Sequence, residues 1–240
     1  MRTYATAQQI GDRTHQCDAT AVRTAPSGAR AYAILDGIGS SDPVRDWTRA
    51  AARRLAQTAA HRGDAETALR AMYEQYATDP EREHAAAVVA VTTGHTLTVA
   101  WCGDSRAYLL TTGTLRRLTD DHNLRRVVPP GTSYPGSPGG NRNIITSYLG
   151  NHETDHEVAN RYGHPAIETT TVNLGDGEHR LLLATDGAYE PIEDASLNLA
   201  DYLTGTPSVA ARGLVTAAIA TAHAAPDPYA DNTTVLIADL

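Results

Sequence analysis

Four aspartates occupy positions where strongly apolar segments begin or end: Asp36, Asp104, Asp186 and Asp231. The first three follow apolar runs, and the fourth precedes the apolar run that closes the chain. Carboxylate oxygens without histidine or thiolate partners are ligands that Mg²⁺ and Mn²⁺ prefer. Two such ions can clamp a phosphoryl group and activate water for attack on it. The pattern therefore predicts a metal centre suited to phosphoryl chemistry, although any one of these aspartates alone is also compatible with a turn or a cap.

An Asp-Gly pair is also a common signal for a hairpin turn. Asp176-Gly177 lies between two strand-like runs, and there we predict a hairpin. After Asp36-Gly37, in contrast, apolar residues recur at helical spacing, with Asp42 as the expected N-cap and Pro43 as the first helical residue. The chain leaves that strand for a helix, so Asp36 is not explained by a hairpin.

The remaining pattern alternates strand pairs with helices. The predicted strands cover residues 3–10, 20–24, 29–35, 85–92, 96–102, 107–111, 114–118, 168–174, 180–184 and 233–238. The predicted helices cover residues 43–61, 65–77 and 208–223. Without a regular β-α-β alternation, this order favours an α+β fold, a four-layer α-β-β-α sandwich with two central antiparallel sheets flanked by antiparallel helix pairs.

The chain is expected to form one domain over residues 1–240, because no shift in composition divides it. Residues 127–165 are interrupted by proline and glycine, which predicts an irregular, flap-like insertion. An irregular stretch of this length is commonly a functional loop or a disordered one.

Composition excludes several classes of protein. All 20 basic residues are arginine, which excludes P-loop ATPases, protein kinases and Schiff-base enzymes, since each needs a lysine. A net charge of −8 argues against nucleic-acid binding. No segment has the length of a membrane span or the pattern of a signal peptide, and Cys17 and Cys102 are too few for a disulfide framework. We therefore expect a cytoplasmic protein without a membrane partner.

Seven stretches, in order along nearly the whole chain, resemble the metal-dependent protein Ser/Thr phosphatases of the type 2C family, in the form of a bacterial stand-alone catalytic domain. They are residues 11–18, 33–39, 101–108, 118–122, 143–150, 181–187 and 231–234. Each stretch alone is a weak signal, whereas the ordered set is specific.

The resemblance implies a β-sandwich with a centre for two Mn²⁺ or Mg²⁺ ions at one end. Asp36 would bridge both ions, and the Gly37 carbonyl would bind one of them. Asp186 and Asp231 would bind the other, and Asp104 corresponds to an aspartate associated with a weaker third ion.

The resemblance also implies the reaction. Arg13 would hold the substrate phosphate, and Asp18 would orient the metal-bound water. A hydroxide bridging the ions would attack phosphorus directly, without a phospho-enzyme. The expected substrate is a phosphoserine or phosphothreonine protein, with a Ser/Thr kinase or its target as the partner, and we expect a monomer. Residues 127–165 would be the flap that influences substrate choice.

Two positions depart from the family pattern. Ile38 replaces a histidine that many members use to protonate the leaving group, so we expect slower or differently assisted catalysis, with a metal-bound water as the hypothetical proton donor. Cys17 replaces a glutamate. This change is compatible with weaker metal binding, with sensitivity to oxidation or with an inert thiol.

Other interpretations compete with this one. Residues 152–156 match the zinc-protease pattern H-E-x-x-H, but their surroundings are too polar for a buried helix. Residues 120–123 fit a polar turn without a metal role. Two further functions stay open: a catalytically impaired phosphatase-like module that binds a phosphoprotein, and a phosphatase for small phosphate esters.

Overall fold

The computed structural model describes residues 3–79, 81–134, 137–138 and 140–240. The strands are β1 (Tyr4–Gln9), β2 (Ala19–Thr24), β3 (Arg30–Gly37), β4 (Ala85–Thr93), β5 (Thr96–Cys102), β6 (Arg106–Thr111), β7 (Thr114–Arg117), β8 (Ser133–Tyr134), β9 (Ser137–Pro138), β10 (Glu168–Asn173), β11 (His179–Ala184) and β12 (Thr233–Asp239). The helices are α1 (Asp42–Arg62), α2 (Ala65–Ala77), α3 (Leu124–Val127), α4 (Asp155–Tyr162), α5 (Asp186–Asp194) and α6 (Pro207–Ala224), with a 3₁₀ turn at Leu199–Tyr202.

Two five-stranded antiparallel sheets form the centre of the fold. One sheet has the order β1-β12-β11-β6-β7, and the other has the order β10-β5-β4-β3-β2. Alternate side chains of β3 explain the stacking, because Tyr32 and Ile34 pack between the sheets, whereas Ala33 and Leu35 pack against helices. The strand is therefore apolar on both faces, as its sequence predicted.

Helices cover the outer face of each sheet. α1 and α2 pack on the β3 side, where many of the contacting side chains are alanines that allow close approach. α5 and α6 pack on the opposite sheet around Tyr189 and Leu214. The predicted α+β sandwich with two central antiparallel sheets is thus confirmed.

The predicted hairpin at Asp176-Gly177 is wrong. β10 pairs with β5, whereas β11 pairs with β6 and β12, so this turn carries the chain from one sheet to the other. Similarly, Ser41 rather than Asp42 caps α1, because the Ser41 side chain accepts a hydrogen bond from the Val44 amide. The apolar patterns predicted where β10 and β11 begin and end, but not which strands they pair with.

The segment 127–165 is more regular than predicted, since it contains α4 and the backbone of the β8–β9 pair. The predicted irregularity at residues 135, 136 and 139 lies outside the described residues. In the described part of the chain, no helix is both long enough and apolar enough to cross a membrane.

Candidate functional site

The sheet register brings the predicted aspartates to one end of the sandwich. Asp36 pairs with Ala86 near the start of β4, and the adjoining β5 ends at Cys102, two residues before Asp104. In the other sheet, the end of β11 lies beside the start of β12. Asp186 follows the end of β11, and Asp231 precedes the start of β12. Asp36, Asp104, Asp186 and Asp231 all line the same cleft.

Arg13 reaches this cleft from a loop that is hydrogen-bonded to the segment before β12. Its Nε and Nη2 donate to the two carboxylate oxygens of Asp231, each at 2.6 Å. Gly11 makes the approach possible, because a Cβ atom there would lie 2.3 Å from the Ala230 carbonyl oxygen, at a backbone φ of +63°. The predicted phosphate-binding arginine is therefore next to a predicted metal ligand.

Glycine is also required beside Asp36. A Cβ atom on Gly37 would lie 2.6 Å from Thr48 Oγ1 and 2.7 Å from the Cys17 carbonyl oxygen. No side chain would fit on Gly37, because helix α1 and the loop that carries Arg13 both lie close to its backbone. Close packing here fixes Asp36 at the base of the cleft.

The carboxyl groups of this cleft are electrostatically strained. Burial, followed by the negative charges of four neighbouring aspartates, raises the pKa of Asp36 well above its usual range. Burial and the Asp231 charge raise the pKa of Asp186, and burial and the Asp186 charge do the same for Asp104. A nearby cation would reduce the repulsion between these carboxylates and stabilise their ionised forms.

Asp18 completes the cluster. It is 1 % exposed, and Thr185 Oγ1 donates to its Oδ2 at 3.0 Å. Its Oδ1 has no hydrogen-bond partner among the described residues. Burial and the charge of Asp186 raise the pKa of Asp18 to about 8, although the hydrogen bond from Thr185 opposes the shift. A buried carboxylate oxygen without a partner, beside several like charges, fits a site that binds divalent cations or their water ligands.

The cleft has a volume of about 1070 Å³. Ile38 lies in its wall and is 42 % exposed, so the side chain that replaces the family's histidine faces the solvent-accessible space. Asn143 and Ile145 line the cleft from the segment after β9, and Tyr229 lines it from the segment before β12. The cleft is therefore large enough for more than a phosphate group.

Sequence reasoning missed a buried arginine that joins Asp104 to helix α5. The Arg106 guanidinium carbon lies 3.7 Å from the centre of the Tyr189 ring, and its nitrogens pair with Asp121 and Glu193. The Tyr189 hydroxyl donates to the Asp104 carbonyl at 2.8 Å. Arg106 follows Asp104 in the motif Gly-Asp-Ser-Arg, but no local pattern connects it to its partners, which lie 15 and 87 residues away in the sequence.

Cys17 is buried, and its thiol is directed at the start of α1. The Sγ atom donates to the Ser41 carbonyl at 3.7 Å, and burial raises the pKa of the thiol. A protonated, enclosed thiol is a poor metal ligand and a poor target for oxidants. Of the outcomes expected for Cys17, the structure favours an inert thiol.

Outside the aspartate cluster, His122, His164 and Glu168 have potential ligand atoms within 4.8 Å of one another. All four ring nitrogens have protein partners: His122 bonds Gly103 and Glu168, and His164 bonds Thr146 and Pro165. The Arg126 guanidinium also pairs with Glu168 and would repel a cation. We interpret this group as a structural network.

The zinc-protease interpretation is excluded by the position of α4. The pattern requires both histidines on one helix, but α4 begins at Asp155, so His152 precedes it and only His156 lies within it.

Comparison with known proteins identifies the family. The profile of the family described as Protein phosphatase 2C matches residues 8–127. No sequence among the curated proteins matches this chain.

Solved structures match over nearly the full chain. The Mycobacterium tuberculosis serine/threonine phosphatase PstP/Ppp is 24 % identical, with a TM-score of 0.72 over 99 % of this chain and 97 % of that one. The S. agalactiae serine/threonine phosphatase is 19 % identical, with a TM-score of 0.73 over 98 % of both chains. Stp1 from Staphylococcus aureus is 19 % identical, with a TM-score of 0.71 over 100 % of this chain and 95 % of that one. At these identities, the likeness establishes the fold.

Proposed function

Because the chain belongs to the protein phosphatase 2C family, we propose that it is a metal-dependent phosphatase that hydrolyses phosphoserine and phosphothreonine in proteins. The observation that carries this proposal is the convergence of the predicted carboxylates with Arg13 on one cleft. The alternative substrates, small phosphate esters, would enter the same cleft.

The residues have distinct roles in this proposal. Asp36 and the Gly37 carbonyl, together with Asp186 and Asp231, would hold two Mn²⁺ or Mg²⁺ ions, and Asp104 would belong to a weaker third site. When bound, these ions would lower the pKa of a water molecule and polarise the phosphoryl oxygens. Asp36, Asp104 and Asp186 line the same cleft, whereas Asp231 would have to release Arg13 before its carboxylate could receive a cation.

Arg13 would bind the phosphate oxygens through its planar fork of N–H donors. Asp18 would accept a hydrogen bond from the attacking water through Oδ1, the oxygen without a described partner. Thr185 holds the other oxygen and thereby fixes the direction of the carboxyl group. The water would attack phosphorus in line with the leaving oxygen, and no enzyme side chain would be phosphorylated.

The leaving serine or threonine oxygen needs a proton. Ile38 cannot supply one, so we propose that solvent entering the open cleft protonates this oxygen. This route predicts slower turnover than an enzyme with a histidine at the same position.

The test is hydrolysis of a phosphothreonine peptide with Mn²⁺, Mg²⁺ or EDTA by the wild type, Asp36→Asn and Asp186→Asn. A matched control is Asp176→Asn, in the exposed turn between the sheets. We expect metal-dependent turnover in the wild type and the control, and its loss in the two site variants. A folded wild type that shows no turnover with either metal would leave the phosphoprotein-binding module as the better interpretation.

A further inference from the structure

One wall of the cleft is connected to helix α5 by an ion-pair cluster that the proposed reaction does not use. Arg142 Nε lies 2.8 Å from Glu190 Oε2. Its Nη1 and Nη2 donate to the two carboxylate oxygens of Asp194 at 2.9 and 2.7 Å. One guanidinium therefore bridges two acidic side chains on successive turns of α5, and we refer to these three residues as the Arg142 clamp.

The clamp is enclosed on its Glu190 side and open to solvent on its Asp194 side. Arg142 is 27 % exposed and Glu190 only 16 % exposed, whereas Asp194 is 54 % exposed. The fork geometry of an arginine with a carboxylate fixes orientation as well as distance. Because Nε, Nη1 and Nη2 of Arg142 all contact carboxylates of α5, the clamp links the backbone near Arg142 to this helix.

The clamp lies beside the cleft in which the substrate would bind. α5 begins at Asp186, so the helix that carries the clamp acids also carries a predicted metal ligand. Arg142 is followed by Asn143 and Ile145, which line the cleft. On its other side, this segment is anchored by the Leu124 amide, which donates to the Ile144 carbonyl at 3.0 Å. The clamp thus joins the 142–145 wall to the helix that begins at the predicted metal ligand Asp186.

We propose that the Arg142 clamp is a specificity device that positions the 142–145 wall against the polypeptide flanking the phosphorylated residue. This inference rests on the proposed function, and it names the class of phosphate ester whose hydrolysis depends on the 142–145 wall. A phosphopeptide extends along the cleft and contacts the wall, whereas a small aryl phosphate occupies only the space around Arg13 and the aspartates. Arg142 and Asp194 are accordingly positioning residues.

The experiment compares kcat/KM for a phosphothreonine peptide and for p-nitrophenyl phosphate in Arg142→Gln and Asp194→Asn. These two substitutions change the local charge in opposite directions, so an electrostatic effect on anionic substrates would have opposite signs. Loss of positioning, in contrast, lowers peptide turnover in both variants. We expect a fall of about fivefold to tenfold for the peptide, mainly through KM, and a change within about twofold for p-nitrophenyl phosphate.

Two controls complete the test. Arg117→Gln breaks the exposed pair between Arg117 and Asp120, which lies outside the cleft, and should leave both substrates unaffected. The charge-swapped double variant Arg142→Asp/Asp194→Arg should recover part of the peptide activity.

Opposite effects of the two single variants, or equal losses for both substrates, would overturn the proposal. Metal-dependent hydrolysis of p-nitrophenyl phosphate by the wild type tests the proposed function separately. A failure of the clamp is therefore distinguishable from a failure of the phosphatase assignment.

Discussion

The ion pair between Arg13 and Asp231 predicts that Arg13, the proposed phosphate-binding residue, opposes metal binding in the substrate-free protein. Arg13 occupies both carboxylate oxygens of Asp231, the atoms that a metal ion would need. Replacing Arg13 with alanine frees these oxygens and also removes the proposed anchor for phosphate. We therefore expect Arg13→Ala to bind Mn²⁺ more tightly and to hydrolyse a phosphopeptide less efficiently.

The size of the effect follows from the exposure of the pair. The Arg13 and Asp231 side chains are 35 % and 31 % exposed, so solvent screens their attraction. A bidentate pair in this setting is worth about 1 kcal/mol, which corresponds to about fivefold tighter metal binding when the pair is removed. Loss of the positive charge near a cation acts in the same direction.

Isothermal titration of metal-free protein with Mn²⁺ measures this change directly. Arg13→Lys should give an intermediate affinity, because an ammonium group cannot form the bidentate pair. Arg23→Ala is a matched control, since the exposed Arg23 donates to the carbonyl of the neighbouring Val22. Unchanged or weaker Mn²⁺ affinity in Arg13→Ala, in protein that unfolds at the wild-type temperature, would refute the reasoning.

Three further predictions concern stability and reactivity. Hydrogen bonds from its histidine and arginine partners overcome the effect of burial and lower the pKa of Glu168 to about 2, so its stabilisation is present above the usual carboxyl range and is lost as the pH falls toward 2. Glu168→Gln should therefore lower the free energy of unfolding by about 2 kcal/mol at neutral pH, with the difference vanishing in acid, as measured by urea titrations across pH. Gly103→Ala should cost about 2–3 kcal/mol in the same assay, because Gly103 has a φ of +104° and an added Cβ atom would lie 2.3 Å from Ala86 Cβ. Iodoacetamide at mildly alkaline pH should label neither Cys17 nor Cys102 in the native protein, because burial raises the pKa of both thiols, and mass spectrometry before and after denaturation checks this.

The sequence predicted the sandwich because its apolar patterns are strong. β3 and β4 are apolar on both faces, which identifies them as central strands whose neighbours cover both sides. The same pattern marks their ends sharply, so the aspartates at those ends were recognisable as a set. Their grouping in one cleft then followed from antiparallel pairing that brings these ends together.

The contacts that each strand or side chain makes with distant parts of the chain were harder to predict than the positions of the strands. Asp176-Gly177 has the local chemistry of a hairpin, but the two flanking strands join different sheets. Local turn preference is worth little compared with the apolar burial gained by each strand in its own sheet. The same limit applies to the Arg142 clamp, because Arg142 lies 48 and 52 residues from its two partners and no local pattern connects them.

The buried acids argue against a passive phosphoprotein-binding module. Burial and like charges raise the pKa values of Asp36, Asp104 and Asp186, so each ionised carboxylate destabilises the metal-free fold increasingly as the pH rises above the usual carboxyl range. A module that only captures phosphate would bind an anion better with neutral amides at these positions, because amides remove the repulsion and avoid the cost of burying charge. Divalent cations reverse this balance, since the same carboxylates become their ligands. The arrangement therefore favours a protein that binds cations, as the proposed metal-dependent phosphatase would.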